Sequence, residues 1–276
     1  MADLNRRHHR ASYDGVLNIV LRGYSTLARQ RITRREGRVA VAFSRLAFAV
    51  DDEYERRQAA GSPATLDELL RADLVARPLD ELRALASGFS SYEASRPLLL
   101  DFVGSLYLDY TSDGDERGPR PDALPDDIGG LVRKAEIDSG GFLHAVVLLV
   151  ALVTGRVPLA ERHAAQFVAL GVLGKAADDL TDLRLDDAAG RANLLGALID
   201  RVPGEREAVL GGWRSGARMS TAWWRRTCPR AFEQLSALCA DHYAALDSAW
   251  LRFASDLLWV PALLGRATTD DQRGRL

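Results

Sequence analysis

Apolar residues recur every three or four positions along almost the whole of this chain, and no segment alternates apolar with polar over a strand's length. A spacing near 3.6 lays one side of a helix against a core, whereas a half-buried strand needs a period of two. The pattern therefore predicts an all-α protein. Helices are expected over 14–32, 38–59, 65–75, 79–87, 91–110, 127–139, 141–154, 158–185, 204–226 and 230–265, the last one broken. Turn chemistry separates them, with GSPAT at 61–65, RPLD at 77–80 and VPGE at 202–205. Of 276 residues 47% are hydrophobic and only 7% aromatic, enough for a sizeable core, and one weighted toward helix formers.

The longest irregular stretch, TSDGDERGPRPDALPDD at 111–127, is flanked by helices of equal apolarity. It reads as a mobile loop within one domain, 1–276, rather than as an interdomain linker. Residues 1–12 are basic with no apolar core behind them, which suits a disordered tail and not a signal peptide. The most apolar run, FLHAVVLLVALVTG at 142–155, falls short of the roughly twenty residues a membrane span takes, so it is expected as a buried helix. A formal charge of −2 gives no bulk attraction to nucleic acid. Cys228 and Cys239 lie on one expected helix about 16 Å apart, too far to pair, and a reduced, cytoplasmic setting follows.

Two apolar segments turn acidic. VAVAFSRLAFAV runs into DDEYE at 51–55, and FVALGVLG runs into DDLTDLRLDD at 178–187. At about 100° per residue, Asp178, Asp182, Asp186 and Asp179 share an arc of about 100°, with Asp187 opposite. Asp51, Glu55 and Asp52 share a similar arc, and Glu53 points away at about 200°. Carboxylates grouped beside an apolar cavity repel one another and lose hydration, so they need a cation; hard oxygen donors without His or Cys suit Mg²⁺. One such cluster alone is more simply a surface patch balanced by arginine. Two of the same layout favour a site.

These motifs resemble those of the class I isoprenoid synthases: terpene cyclases, trans-prenyltransferases and squalene/phytoene synthases. DDEYE is similar to the DDxxE form of the first aspartate motif, and DDLTD to the second motif of the prenyltransferase branch. Asp182, Asp186, Gly190 and Arg191 have the DxxxDxxxGR spacing of squalene/phytoene synthases, with Asn193 where those usually carry tyrosine. LVRKAEIDSGGF at 131–142 adds a basic helix end before a Gly–Gly break, a break whose freed backbone groups would face a cavity. Terpene cyclases place a diphosphate-sensing arginine at about the distance of Arg133 from Asp178, followed by an acidic linker (here Asp138) and a small effector residue (Ser139 or Gly140). Prenyltransferases place a lysine there, which would be Lys134.

The resemblance implies a helical bundle with a central cavity and Mg²⁺, three ions in that superfamily. Asp51, Asp52, Glu55, Asp178, Asp179, Asp182 and Asp186 would hold the metal. Arg133, Lys134, Lys175 and Arg191 would meet the diphosphate, with Arg133, Lys134 and Asp138 as the catalytic set. Phe48, Phe89, Tyr92, Phe142, Trp223, Trp224, Trp250 and Trp259 could line the cavity or simply fill the core. The implied activity is ionisation of an allylic prenyl diphosphate, with a small-molecule substrate, no nucleic acid and no membrane span; a homodimer is compatible, though no seam marks one. No GGKRxRP string precedes Asp51, which disfavours chain elongation; RITRREGR at 31–38 is too close and reads as a helix-end face. A terpene cyclase with an atypical second motif is the favoured expectation, a coupling prenyltransferase the second. A non-catalytic helical scaffold is the alternative of another class.

Overall fold

A computed structural model describes residues 2–62, 65–94, 96–97 and 128–264. Among them the chain is helical, with no strand. The elements are α1 (Ala2–Leu27), α2 (Arg34–Ala59), α3 (Leu66–Arg71), α4 (Asp73–Ala86), α5 (Ile128–Ala135), a π-helical turn (Glu136–Gly141), α6 (Phe142–Val153), α7 (Glu161–Ala189), α8 (Leu194–Asp200), α9 (Glu205–Arg214), α10 (Thr221–Thr227), α11 (Pro229–Ala244) and α12 (Ala249–Leu264). The expected loop at 111–127 and most of the expected helix 91–110 lie outside the described residues.

Several boundaries differ from the sequence reading, each for a local reason. The break expected at RPLD falls instead at Ala72, and Pro78 sits inside α4. Helix α1 begins at Ala2, well ahead of the point where its periodicity becomes visible. The segment 204–226 is two helices, because Ser220 caps a new one by accepting from the Trp223 amide. Helix α8 was not foreseen at all, although Asn193 before LLGALID is a readable N-cap.

Helix α7 is the spine. Its first half, with Phe167, Leu170 and Leu173, belongs to a core shared with α1, α2, α4 and α6. Its second half, with Ala176, Leu180 and Leu183, belongs to a second core shared with α8, α10 and α11. Cys239 packs against both, and burial pushes its thiol and that of Cys228 up to about 12, so both stay protonated. Helix α6 is apolar on nearly every side because it packs on α2, α7 and the π turn together. The continuous helix Ile128–Val153 is long and apolar enough to cross a membrane by length and composition alone; half of its most apolar window is buried inside this protein.

The Gly–Gly break appears as the π turn, and Gly140 within it is buried. It lies on α7 backbone against backbone. A Cβ on Gly140 would sit 2.8 Å from the Val168 carbonyl oxygen, and one on Gly171 would collide with the Gly140 backbone. Neither clash can be relieved by a side-chain rotation, so alanine at 171 would cost about 1–3 kcal/mol in forced backbone movement.

Candidate functional site

On α2 the buried stripe runs Val39, Phe43, Leu46 and Val50, and the next position in that stripe is Glu53. Glu53 is 2% exposed, whereas Asp51 and Asp52 are half-buried on the flanks. The arc drawn from the sequence is correct as a projection but is not centred on the core side. Glu53 needs no external cation: Arg56 donates to it from Nε at 2.9 Å and from Nη2 at 2.6 Å, and Arg57 donates from Nε at 2.8 Å. Hydrogen bonds from Arg56 and then Arg57 hold the Glu53 carboxyl down to about 2. The side chain of Glu55 lies outside the described residues.

On α7 the four expected ligands divide. Asp179 is 1% exposed and Asp186 7%, while Asp178 is exposed and Asp182 half-buried. Asp179 Oδ2 accepts the Leu194 amide at 2.7 Å. Its Oδ1 lies 2.7 Å from Lys175 Nζ, an ion pair whose angles leave that oxygen without an aligned hydrogen bond. Asp186 Oδ2 accepts from Asn193 Nδ2 at 2.9 Å, and its Oδ1 lies 3.1 Å from Arg191 Nε. Asn193 also donates to the Asp179 carbonyl at 3.0 Å and caps α8 by accepting the Gly196 amide at 3.0 Å. Gly190, at φ 65°, makes the left-handed turn that lets the chain reverse between the two helices.

Asp179, Asp186, Asn193 and Arg191 are thus the hinge joining α7 to α8. Of the four carboxylates expected as a metal face, Asp178 and Asp182 lie outside that hinge. Sequence reasoning missed Asn193 as the centre of that hinge, though its N-cap position was the available signal. Burial acts against the charge on Lys175, but the carboxylates of Asp179 and Asp178 outweigh it and hold the ammonium above its ordinary range. Burial also pushes Asp179 up, opposed by Lys175 and by the Leu194 amide.

The expected diphosphate cations are spread over α5, α7 and the turn that follows α7. Lys134 Nζ lies 3.4 Å from Asp138 Oδ2 across the start of the π turn, and Arg133 beside it is exposed. Lys175 reaches Asp178 at 3.4 Å as well as Asp179. Among the described residues, no three His, Cys, Asp or Glu side chains gather as one metal-sized group. The donor chemistry suits Mg²⁺, yet Asp179 and Asp186 are committed elsewhere. Asp51 and Asp52 on α2 and Asp178 and Asp182 on α7 are the more exposed oxygen donors of the expected set.

The expected aromatic lining divides too. Phe48 and Phe142 meet at 5.8 Å between centroids, and Phe89 and Tyr92 belong to the same core. Trp223, Trp224 and Trp259 pack in the other core, with Trp224 fully buried. Trp250 is 38% exposed beneath the Arg22 guanidinium. No protein-family model, characterised protein or solved structure matches the chain at a significant level.

Proposed function

We propose that the chain is a single domain, 1–276, of the class I isoprenoid synthase type, whose cavity ionises an allylic prenyl diphosphate with Mg²⁺. The product is a hydrocarbon or alcohol terpene, and the substrate farnesyl or geranylgeranyl diphosphate. The observation that carries this is the placing of the motif-bearing segments. The π turn follows Lys134 and contains Asp138, and it lies on α7 at Gly171, about 10 Å along the axis before Asp178. Helix α2, bearing Asp51 and Asp52, packs on α6, which packs on α7. A solvated acidic helix has no need of such a seam, and π turns inside helices occur frequently at functional sites.

When bound, Mg²⁺ would polarise the diphosphate oxygens and stabilise the leaving group. Asp51, Asp52, Asp178 and Asp182, with Glu55, would hold it. Asp179 and Asp186 have a positioning role: by fixing the end of α7 on α8 they set where Asp178 and Asp182 stand. Arg133 would meet the diphosphate first, and Lys134 and Lys175 would turn to it from their ion pairs as negative charge develops there. Phe48 and Phe142 offer π faces that stabilise a cation without trapping it as nucleophiles.

A coupling prenyltransferase is the second reading, favoured by the Asp182, Asp186, Gly190, Arg191 spacing. The test incubates purified protein and Mg²⁺ with geranyl, farnesyl and geranylgeranyl diphosphates, with and without isopentenyl diphosphate. Hydrocarbon or alcohol from one substrate alone is the expected result. A C30 or C40 hydrocarbon shifts the assignment to coupling, and longer diphosphates shift it to elongation. No diphosphate release from any substrate contradicts all three and leaves the helical scaffold.

A further inference from the structure

An arginine-lined opening lies toward the start of α2, away from the acidic end of that helix. A groove of about 830 Å³ lies between α1, the start of α2 and α4, and its wall carries five arginines, Arg22, Arg31, Arg34, Arg38 and Arg45, against one carboxylate, Glu81. Glu81 sits 3.7 Å from Arg45. Among the described residues no carboxylate lies within ion-pair distance of Arg31, Arg34 or Arg38, so three guanidiniums face the groove uncompensated. Arg34 and Arg38 also border a second, adjoining opening that contains Arg35. The floor is aliphatic, from Leu21, Ile32, Val41 and Leu85.

The groove is held in shape from behind. Thr33 donates its amide to Glu36 Oε2 at 2.6 Å, and Glu36 donates its own to Thr33 Oγ1 at 3.3 Å, a capping box that fixes the start of α2. Arg156 clamps that corner, donating to Glu36 Oε1 at 2.5 Å and to the Arg31 carbonyl at 3.2 Å. One rim continues onto α12, where Arg22 lies 5.1 Å over Trp250.

Unpaired guanidiniums over an aliphatic floor of Leu21, Ile32, Val41 and Leu85 match one ligand chemistry: a phosphate or diphosphate group carried on a hydrocarbon chain. We infer that this groove is an anion site for the phosphate head of such an amphiphile, either a soluble phosphate ester or the headgroup of an anionic lipid. Arg34 and Arg38 lie about 27 and 21 Å along α2 from Asp52, with Arg45 at the nearer end about 10 Å from it, so the unpaired arginines stand apart from the acidic end of that helix.

The test titrates the full chain in EDTA, which removes any metal-dependent contribution, with inorganic pyrophosphate and with dodecyl phosphate below its micelle concentration. In parallel the protein is sedimented with phosphatidylglycerol or phosphatidylcholine vesicles. Binding of dodecyl phosphate, weakened about tenfold or more in the R34Q/R38Q double variant, is the expected result. Both arginines are exposed, so the variant should keep the wild-type melting temperature; Arg31→Gln, in the preceding loop, gives a second reading if it does not. Sedimentation with phosphatidylglycerol that the variant loses assigns the lipid source, and binding of the soluble probe alone assigns the free ester. Failure of the wild type to bind either probe or either vesicle, or equal binding by the variants, overturns the site.

Discussion

The two acidic helix ends look alike in sequence and are built differently. At the end of α2 the buried acid, Glu53, is neutralised by arginines three and four residues further along the same helix. At the end of α7 the buried acids, Asp179 and Asp186, reach across a chain reversal to Leu194, Asn193 and Arg191. The first arrangement is local and would survive in an isolated helix; the second exists only when α8 is docked. Burial of a carboxylate thus says little about its role until its partners are known.

Loss of the α7 junction should have the largest effect. Asp179→Ala removes the acceptor of the Leu194 amide and leaves Lys175 only its longer contact with Asp178, so a loss of about 3 kcal/mol is expected in chemical denaturation. Asn193→Ala removes a helix cap and two further hydrogen bonds, and about 2 kcal/mol should go with it. If Asn193→Ala melts like the wild type, the junction is not what holds α8.

On α2 the effect should be smaller and depend on pH. The Glu53 carboxyl is held down to about 2, below its unfolded value of 4.5, so its stabilisation is full above 4.5 and disappears as pH falls toward 2. Water around the exposed Arg56 screens much of it, leaving about 1 kcal/mol. Glu53→Gln should therefore lower the denaturation midpoint at pH 7 and match the wild type near pH 2. A constant difference across that range would mean that packing, not charge, is lost. Smallest of all, Asp178→Asn should change stability by less than about 0.5 kcal/mol, since Asp178 is exposed.

The all-helical class was legible because periodicity reports it directly, residue by residue, in α2, α6 and α7. Helix α8 was hidden because seven residues are too few for periodicity to show, leaving only the Asn193 cap to mark it. Angular clustering of Asp178, Asp179, Asp182 and Asp186 was also legible, but a helical wheel carries no information on which side the neighbours lie. The π turn at Gly140 was anticipated as a break, whereas its contact with Gly171 joins residues 31 positions apart and leaves no local trace. The arginine groove was set aside for a related reason: RITRREGR reads as an ordinary helix end until α1 and α4 close around it.

The proposal that α2 and α7 share a metal-bound diphosphate is tested most directly by calorimetric titration of pyrophosphate with and without Mg²⁺, in the wild type, Asp52→Asn and Asp182→Asn. The Mg²⁺-dependent part of the binding should vanish in both variants, since each removes a donor from a different helix. Mg²⁺-dependent binding that survives both substitutions, or that never appears in the wild type, would contradict a shared site.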